Sequence, residues 1–261
     1  MTRVAIVQTN PEFGNAVKNI ADAAELVGSV EADLYVLPEL FTTGYNFINR
    51  KEAEKLSEPA DGTAFRAMAA LAAKLKAHIA YGFAEKKEHC YNSAALVGPK
   101  GMAGLYRKVH LYARETLFFA PGDQGFPVFD LPFGKVGIMV CFDWIYPESA
   151  RTLALRGAQI IAHPSNLVMP YCPDAMITRC LENKIYAATA NRIGTEQRGG
   201  LELHYIGTSG IVSPSGEILM RMGADETGIR VVEVDLRAAL NKKINRYNDL
   251  ITGRRPSEYK A

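Results

Sequence analysis

The stretch Lys135-Val-Gly-Ile-Met-Val-Cys-Phe-Asp-Trp-Ile-Tyr-Pro147 decides the fold class. Its first six residues form an almost continuous apolar run, which predicts a β-strand over 135–140 that is buried on both faces. A helix is expected to begin near Pro147, because proline is favoured in the first helical turn. A second apolar run over 159–162 then predicts another strand. Such a strand–helix–strand unit is typical of a parallel sheet that is covered by helices.

A second unit of the same kind lies at the N-terminus. It consists of predicted strands over 3–8 and 33–37 and a predicted helix over 15–27 between them. Further helices are predicted over 63–77 and 173–184, and further strands over 79–84, 93–97, 102–109, 186–190, 206–213, 217–222 and 229–234. No linker rich in Pro, Gly or Ser separates these elements, so residues 1–261 are expected to form one domain of two packed sheets with helices outside. The polar residues 245–261 are expected to form a C-terminal arm.

The composition is that of an ordinary globular protein, with 48% hydrophobic and 22% charged residues. The formal net charge is only +2 and the basic residues are scattered, which disfavours nucleic acid as a partner. The apolar run after Arg3 is too short for a secretory signal, and no run of about 18 apolar residues offers a membrane span. The sequence therefore predicts a cytoplasmic protein that binds neither membranes nor nucleic acid.

The four cysteines show neither a C-x-x-C pair nor the Cys/His spacing of a structural zinc site. Free thiols in a reducing compartment are therefore expected. Cys141 differs from the other three because it directly follows the buried strand 135–140, at the sheet edge where α/β proteins bind ligands. A thiol on a tight strand-to-helix turn is accessible to a substrate. The alternative is a structural buried thiol, which is the interpretation we favour for Cys172 and Cys180.

Three charged residues also occupy strand ends. Glu39 follows the strand 33–37, where partial desolvation would make its carboxylate a general base. Lys108 lies near the end of the strand 102–109, and a fixed ammonium there could stabilise an oxyanion and lower the pKa of a nearby thiol. Glu115, seven residues further on, is a second candidate carboxylate. Each of the three could instead be a solvated surface charge.

These four residues lie in or near three segments that resemble the motifs of the nitrilase superfamily of carbon–nitrogen hydrolases. The segments are Leu34-Tyr-Val-Leu-Pro-Glu-Leu-Phe-Thr-Thr-Gly-Tyr45, Tyr106-Arg-Lys-Val-His-Leu111 and Val136-Gly-Ile-Met-Val-Cys-Phe-Asp-Trp-Ile-Tyr-Pro-Glu148. The similarity extends over nearly the whole chain and implies a four-layer αββα sandwich of the nitrilase type. It also implies the roles of the residues: Cys141 as nucleophile, Glu39 as base, Lys108 as oxyanion stabiliser and Glu115 as the carboxylate that orients the substrate amide.

The resemblance assigns the backbone N–H of Phe142 as a second oxyanion donor. Tyr45, Trp144 and Asn166 are expected near the mouth of the site, either as pocket residues or as packing residues. His163 could suggest a Cys–His pair, but it follows the apolar run 159–162 and is expected to hydrogen-bond inside the structure. No metal or organic cofactor is expected.

The expected function is cysteine-dependent hydrolysis of a small aliphatic amide to a carboxylic acid and ammonia through a thioester intermediate. The alternatives are hydrolysis of an aliphatic nitrile or of an N-carbamoyl amine or amino acid. A catalytically idle interaction module is the non-enzymatic alternative, because a fold alone does not guarantee activity. The resemblance further implies a homodimer or higher homo-oligomer in which the C-terminal arm crosses the partner.

Overall fold

The first half of the chain alternates strands and helices in the computed structural model, which describes residues 1–259. Its elements are β1 (Thr2–Gln8), α1 (Ala16–Gly28), β2 (Leu34–Val36), α2 (Arg50–Leu56), α3 (Thr63–Leu75), β3 (His78–Lys86), β4 (Cys90–Gly98) and β5 (Gly101–Arg107). Strand β2 is short and buried at every residue, as its uninterrupted apolar sequence predicts. Helix α1 begins after Asn15, whose side chain accepts a hydrogen bond from the N–H of Lys18.

The second half repeats this alternation and then ends in short antiparallel strands. Its elements are β6 (Val128–Leu131), β7 (Gly134–Ile138), α4 (Pro147–Leu155), β8 (Ile160–Pro164), α5 (Cys172–Asn183), β9 (Tyr186–Ala190), β10 (Ile193–Arg198), β11 (Leu201–Ile206), β12 (Gly210–Val212), β13 (Ile218–Arg221) and β14 (Gly228–Val234). Pro147 lies in the first turn of α4, where a backbone N–H has no acceptor within the helix, so its missing N–H costs no hydrogen bond.

Of the strands in residues 1–259, twelve form two six-stranded sheets with matching topology, and β10 and β11 form a separate two-stranded sheet. The first sheet has the order β14-β1-β2-β3-β4-β5 and the second the order β13-β12-β9-β8-β7-β6. In the first sheet β1, β2 and β3 are parallel, and in the second β7, β8 and β9 are parallel. Antiparallel strands complete both edges of each sheet. The two strand–helix–strand units of the sequence therefore build the centres of two equivalent sheets.

The two sheets pack face to face and the helices cover their outer faces. One apolar cluster joins the inner faces, with Val4 and Val36 from the first sheet and Val136 and Ile160 from the second. A second cluster packs α1 and α3 on the outside of the first sheet. Helices α4 and α5 pack together on the second sheet. This arrangement is the predicted four-layer αββα sandwich.

Most of the predicted elements are confirmed, with two kinds of error. The single strand predicted over 206–213 is wrong, because Gly207 and Thr208 both adopt positive φ and separate β11 from β12. The sequence patterns also did not indicate α2, β6, β10 or most of β11. Strand β10 has Ile193 as its one large apolar residue, contains the buried Glu196 and pairs only with β11, so it lacks the apolar run of a central strand.

Residues 245–259 are largely exposed and contain the 3₁₀ turn Pro256–Tyr259. The last two residues of the expected arm, 260 and 261, lie outside the described residues. Within residues 1–259, the helices are all too short or too polar to span a lipid bilayer.

One close backbone approach fixes the segment that follows β2. Gly82 on β3 donates a hydrogen bond from its N–H to the Pro38 carbonyl and accepts one from the N–H of Phe41. A Cβ atom at Gly82 would lie 2.4 Å from Cα of Glu39 and 2.7 Å from N of Leu40. The absence of a side chain at Gly82 is therefore what lets the chain around Glu39 lie directly on β3.

We expect Gly82→Ala to displace Glu39, because backbone atoms rather than a flexible side chain occupy the space of the new methyl group. Overpacking of this kind costs about 2 kcal/mol of folding free energy. Because the sequence resemblance implies that Glu39 is the general base, its shift should also lower kcat by about 10²-fold. Urea denaturation and steady-state kinetics measure the two effects.

Gly28→Ala is the matched control, because a Cβ at Gly28 meets no atom within 4 Å. This control should retain wild-type stability and activity. Wild-type kinetics in Gly82→Ala would contradict the proposed role of this contact.

Candidate active site

The site lies between the two sheets, beyond the carboxyl ends of their parallel strands. Glu39 is three residues past the end of β2 in the first sheet, and Cys141 is three residues past the end of β7 in the second. Lys108 directly follows β5, and Glu115 lies in the 3₁₀ segment Ala113–Leu117. Loops that follow parallel strands meet at one edge, so the sheet-on-sheet packing brings residues distant in sequence to a single place.

Glu39, Lys108 and Glu115 form one buried charged cluster. The Lys108 Nζ atom lies 2.7 Å from Oε1 of Glu39 and 2.7 Å from Oε1 of Glu115. The side chains of Glu39 and Lys108 are fully buried, and that of Glu115 is 3% exposed. Burying such charges is costly unless they are paired and hydrogen-bonded, and here one ammonium pairs with two carboxylates.

Burial and charge change the pKa of both partners at the centre of the cluster. Desolvation raises the pKa of Glu39, although Lys108 and hydrogen bonds partly oppose the shift. Desolvation alone would lower the pKa of Lys108, but the carboxylates of Glu115 and Glu39 outweigh it and raise that pKa. Lys108 is therefore a permanent cation, whereas Glu39 is a carboxylate with an increased affinity for a proton.

Cys141 opens a tight turn between β7 and α4. It has a φ of 44°, a left-handed conformation that is uncommon for a residue with a side chain, and it begins the 3₁₀ segment Cys141–Ile145. The buried carboxylate of Asp143 holds this turn by accepting hydrogen bonds from the N–H of Val140 at 2.8 Å and from the hydroxyl of Tyr106 at 2.6 Å. Strained backbone of this kind persists only where surrounding contacts fix it.

The Cys141 thiol interacts with the charged cluster. Burial raises the pKa of Cys141 well above its ordinary value, and the charge of Glu39 raises it further, whereas Lys108 lowers it. The predicted lowering of the thiol pKa by Lys108 is present, but desolvation and the charge of Glu39 outweigh it. Cys141 rests as a neutral thiol.

His163 is not placed as a base for this thiol. It is buried on β8, with Nε2 3.0 Å from the backbone carbonyl of Cys141 and Nδ1 3.0 Å from Oγ1 of Thr189. Because a carbonyl only accepts, Nε2 carries the hydrogen. Desolvation lowers the pKa of His163 to about 4, so the ring is neutral. His163 thus holds the Cys141 backbone, in agreement with an internal hydrogen-bonding role.

The expected pocket residues differ in their surroundings. The Tyr45 hydroxyl lies 2.5 Å from Oε1 of Glu115, which joins it to the charged cluster. Asn166 follows β8, and its backbone N–H lowers the pKa of the Cys141 thiol through a hydrogen bond. Trp144 is buried in the apolar cluster that joins the sheets and also contains residues of α4 and α5. The amide of Phe142 lies in the first turn of the 3₁₀ segment, where N–H groups have no acceptor within the helix.

Asn92 is a residue of the site that the sequence patterns did not indicate. It is fully buried on β4, and its Nδ2 atom lies 2.6 Å from Oε1 of Glu39 and 3.4 Å from Oε2 of Glu115. The sequence did contain a signal, because Tyr91-Asn-Ser93 places polar residues next to an apolar strand. An asparagine that is buried there needs hydrogen-bond partners for its side-chain amide. The strand was predicted to begin only at Ser93, so Asn92 was left outside it.

Unsatisfied polar atoms concentrate at this site. Of the nine buried side-chain nitrogen and oxygen atoms without a hydrogen-bond partner in residues 1–259, four belong to Glu39, Asn92 and Asn166. The Oε2 atom of Glu39 is one of them. Leaving such groups unpaired costs about 1–3 kcal/mol each, which is typical of positions that bind a ligand or water.

A small cavity of about 40 Å³ adjoins the cluster, with Tyr45 and Glu115 in its wall. The rest of its wall is mainly apolar and includes Tyr112, Phe118 and the hairpin residues Leu201 and Leu203. A water molecule needs about 10–15 Å³ of such volume, so the cavity has room for only a few heavy atoms. Among residues 1–259 no group of three His, Cys, Asp or Glu side chains is arranged to bind a metal ion.

Comparison with known proteins gives consistent results for sequence and structure. A family model described as carbon-nitrogen hydrolase matches residues 3–241. A protein named nitrilase from Pyrococcus abyssi is 49% identical over 264 residues, which cover 99% of each chain. A protein named N-carbamoylputrescine amidase from Solanum lycopersicum is 31% identical over 272 residues, which cover 93% of this chain and 89% of that protein.

Among solved structures, the fold is similar to that of an amidase from Nesterenkonia sp. The similarity has a TM-score of 0.77 with 26% identity, and it covers 93% of this chain and 97% of the amidase. That structure shows the result of Michael addition of acrylamide at the active site cysteine of the amidase.

We expect Tyr45→Phe to lower kcat/KM by about tenfold, because it removes a hydrogen bond to a buried charged carboxylate, which contributes about 1.5 kcal/mol. Steady-state kinetics on a short amide measure this loss. Tyr81→Phe is the matched control, since the Tyr81 hydroxyl is buried without a partner. Equal activities of the two variants would contradict a role for the Tyr45 hydroxyl.

Proposed function

The chain belongs to the carbon–nitrogen hydrolase family, and we propose that within this family it hydrolyses a small aliphatic amide to a carboxylic acid and ammonia. Cys141 is the nucleophile, Glu39 the general acid and base, and Lys108 the oxyanion stabiliser. One observation carries the proposal: the Oε2 atom of Glu39 is buried and has no hydrogen-bond partner. The charge of the same carboxylate acts on the Cys141 thiol and raises its pKa. This free oxygen is a proton acceptor next to a nucleophile that rests as a thiol.

In the acylation step the Cys141 sulfur attacks the amide carbonyl carbon while its proton passes to Glu39. The raised pKa of the thiol requires this transfer, and the raised pKa of Glu39 makes the carboxylate a stronger base. The carbonyl oxygen becomes an oxyanion, which Lys108 and the Phe142 N–H stabilise. Lys108 has three N–H groups, of which two are directed to the carboxylates, so one remains for the oxyanion.

Collapse of the tetrahedral intermediate breaks the carbon–nitrogen bond. Glu39 returns its proton to the departing nitrogen, ammonia leaves, and a thioester on Cys141 remains. A water molecule then gives a proton to Glu39 and attacks the thioester carbon. The second intermediate expels the Cys141 sulfur, which regains the proton from Glu39, and the carboxylic acid is released. Lys108 supplies the positive charge throughout, so the route uses no metal or organic cofactor.

Glu115 is proposed to orient the substrate amide. Its Oε1 atom is held by Lys108 and Tyr45, which fixes the plane of the carboxylate. Its Oε2 atom has only the long 3.4 Å contact from Asn92, so it retains capacity to accept an amide N–H. A nitrile presents no N–H to this acceptor before attack. The second carboxylate therefore favours an amide as the ground-state ligand.

A nitrile remains the second candidate, because the 49% identical relative is named a nitrilase and the attack on a nitrile carbon uses the same thiol. An N-carbamoyl amine is the third candidate, in view of the relative named N-carbamoylputrescine amidase. Catalytic groups alone do not separate these substrates.

We expect Cys141→Ala to abolish hydrolysis, because the other buried thiols lie away from the charged cluster. Cys172→Ala and Cys180→Ala are the controls, since burial alone accounts for the raised pKa of both thiols and no nearby charge contributes. Both controls should keep most of the activity. Ammonia release is the measurement, and substantial turnover by Cys141→Ala would refute the mechanism.

We expect short aliphatic amides to be better substrates than the nitriles with the same acyl group. The test is to measure kcat/KM for matched amide–nitrile pairs and for carbamoyl amines, with ammonia and acid quantified as the products. A nitrile preference that yields acid with little free amide would identify nitrile hydrolysis as the main activity and refute the assignment to amides.

We also propose a homodimer or higher homo-oligomer formed through the α4 and α5 faces. Leu155 and Leu181 on these helices are 43% and 46% exposed, and Tyr247 in the C-terminal segment is 75% exposed. Exposed apolar groups of this kind favour an interface, in which residues 245–261 would form an arm of the single domain. Light scattering at micromolar concentration tests this proposal, and a monomeric mass would refute it.

A cytoplasmic location is proposed because all four cysteines are free and buried, as is usual in a reducing compartment. Cell fractionation tests the location, and recovery from an extracellular or membrane fraction would contradict it.

A further inference from the structure

Asn92 is the residue that contacts every member of the charged cluster. Its backbone carbonyl accepts a hydrogen bond of 2.8 Å from the N–H of Lys108. Its Nδ2 atom donates to Glu39 at 2.6 Å and reaches Glu115 at 3.4 Å. Asn92 lies on β4, where it pairs with Ala84 of β3, so the sheet fixes its backbone. Through its side chain and its backbone carbonyl, Asn92 thus links three residues from two loops, since Glu39 follows β2 whereas Lys108 and Glu115 both follow β5.

We propose that Asn92 is a positioning residue, which holds the carboxylates of Glu39 and Glu115 in one fixed arrangement beside Lys108. This inference rests on the proposed function, because it assigns Asn92 a role in the acid–base steps of Glu39. The side chain does not touch the reacting carbon or nitrogen atoms in this scheme. It acts through the two carboxylates.

The hydrogen bonds distinguish the two oxygens of Glu39. Oε1 accepts from both Asn92 and Lys108, whereas Oε2 is buried without a partner. With Oε1 held at two points, the carboxylate cannot rotate without losing hydrogen bonds in a buried site. The oxygen that exchanges protons is therefore always Oε2. If Asn92 were absent, Lys108 alone would hold Oε1 and the carboxylate could turn about that single contact.

Asn92 also supplies a donor without adding charge. The cluster already holds one cation and two carboxylates, so a second cation would neutralise the base, whereas a neutral amide leaves its charge intact. The hydrogen bond from Asn92 lowers the pKa of Glu39 and so opposes the larger effect of desolvation. The other titratable groups that act on Glu39 or are acted on by it are Lys108, Glu115, Cys141, Tyr45 and Tyr205.

The alternative is a purely structural role, in which Asn92 only satisfies buried polar groups. The neighbouring residue Ser93 provides the comparison. Ser93 is equally buried, and its hydroxyl donates at 2.7 Å to Glu85, which pairs with Arg107 in a separate buried network. Alternate residues of a strand point to opposite faces, so Ser93→Ala removes a buried hydrogen bond to a carboxylate outside the site.

The test compares Asn92→Ala, Asn92→Asp and Ser93→Ala in the full-length protein. Asn92→Ala should lower kcat by about 10²-fold with little change in KM, because general acid–base catalysis contributes on that order. It should also move the acid limb of the kcat/KM profile to higher pH, since loss of the donor raises the pKa of Glu39 and only the carboxylate form is a base. Ser93→Ala should leave the pH profile unchanged, even if its thermal stability falls.

Asn92→Asp preserves the shape of the side chain and is the test variant to use if Asn92→Ala does not fold. The aspartate adds a third negative charge beside Glu39, so its acid limb should lie at still higher pH than that of Asn92→Ala. The activity that Asn92→Ala loses is not expected to return in part when the pH is lowered. The proposal would be overturned if both Asn92 variants kept the wild-type pH profile and lost activity only in proportion to their loss of thermal stability, as in Ser93→Ala.

A second readout needs no substrate. The rate of Cys141 alkylation by iodoacetamide, followed by peptide mass spectrometry, reports transfer of the thiol proton to Glu39 as a function of pH. The acid limb of the alkylation profile should shift to higher pH in both Asn92 variants and not in Ser93→Ala.

If the alkylation profile shifts while the wild type hydrolyses none of the amides in the panel, the positioning role stands and the proposed substrate class fails. If amides are hydrolysed through Cys141 but neither profile shifts, only the role of Asn92 fails.

Discussion

Two carboxylates, one ammonium and one thiol occupy a fully buried space between the two sheets, and the architecture of the site follows from that constraint. Ions removed from water are stable only when they are paired and hydrogen-bonded. Lys108 pairs with Glu39 and Glu115 at 2.7 Å each, and Asn92 and Tyr45 supply neutral donors. Desolvation is the main cause of the raised pKa of Glu39, and the charge of Glu115 adds to it, whereas Lys108 opposes it. That raised pKa suits a group that must take up and release a proton.

The fold provides this arrangement because it duplicates one topology. Each sheet has three parallel central strands, and each sends a loop from the carboxyl end of a parallel strand into the space between the sheets. Glu39 comes from the first sheet and Cys141 from the second. The proposed base and the proposed nucleophile are therefore brought together by sheet packing, and Gly82 and Asp143 fix the backbone on either side. A change in the distance between the sheets would separate the two groups.

The sequence indicated two packed sheets through its apolar runs, whereas the four-layer sandwich and the candidate roles of Glu39, Lys108, Glu115 and Cys141 came from its resemblance to the nitrilase superfamily. It did not indicate Asn92 or the direction of the thiol pKa. Both depend on tertiary contacts: Asn92 reaches Glu39 and Glu115 only once β4 lies beside them, and the raised pKa of Cys141 comes first from its burial and then from the charge of Glu39. The hairpin of β10 and β11 was missed because its half-exposed strands lack a continuous apolar pattern.

The central claim is that a thioester forms on Cys141, and rapid acid quench during turnover of a short amide tests it most directly. Protease digestion and mass spectrometry then locate the acyl group. The mechanism predicts that the peptide containing Cys141 gains the mass of the acyl group, with an amount that rises before the steady state and disappears once substrate is exhausted. An acyl group on another residue, or steady turnover with the Cys141 peptide unmodified at every quench time, would contradict the account.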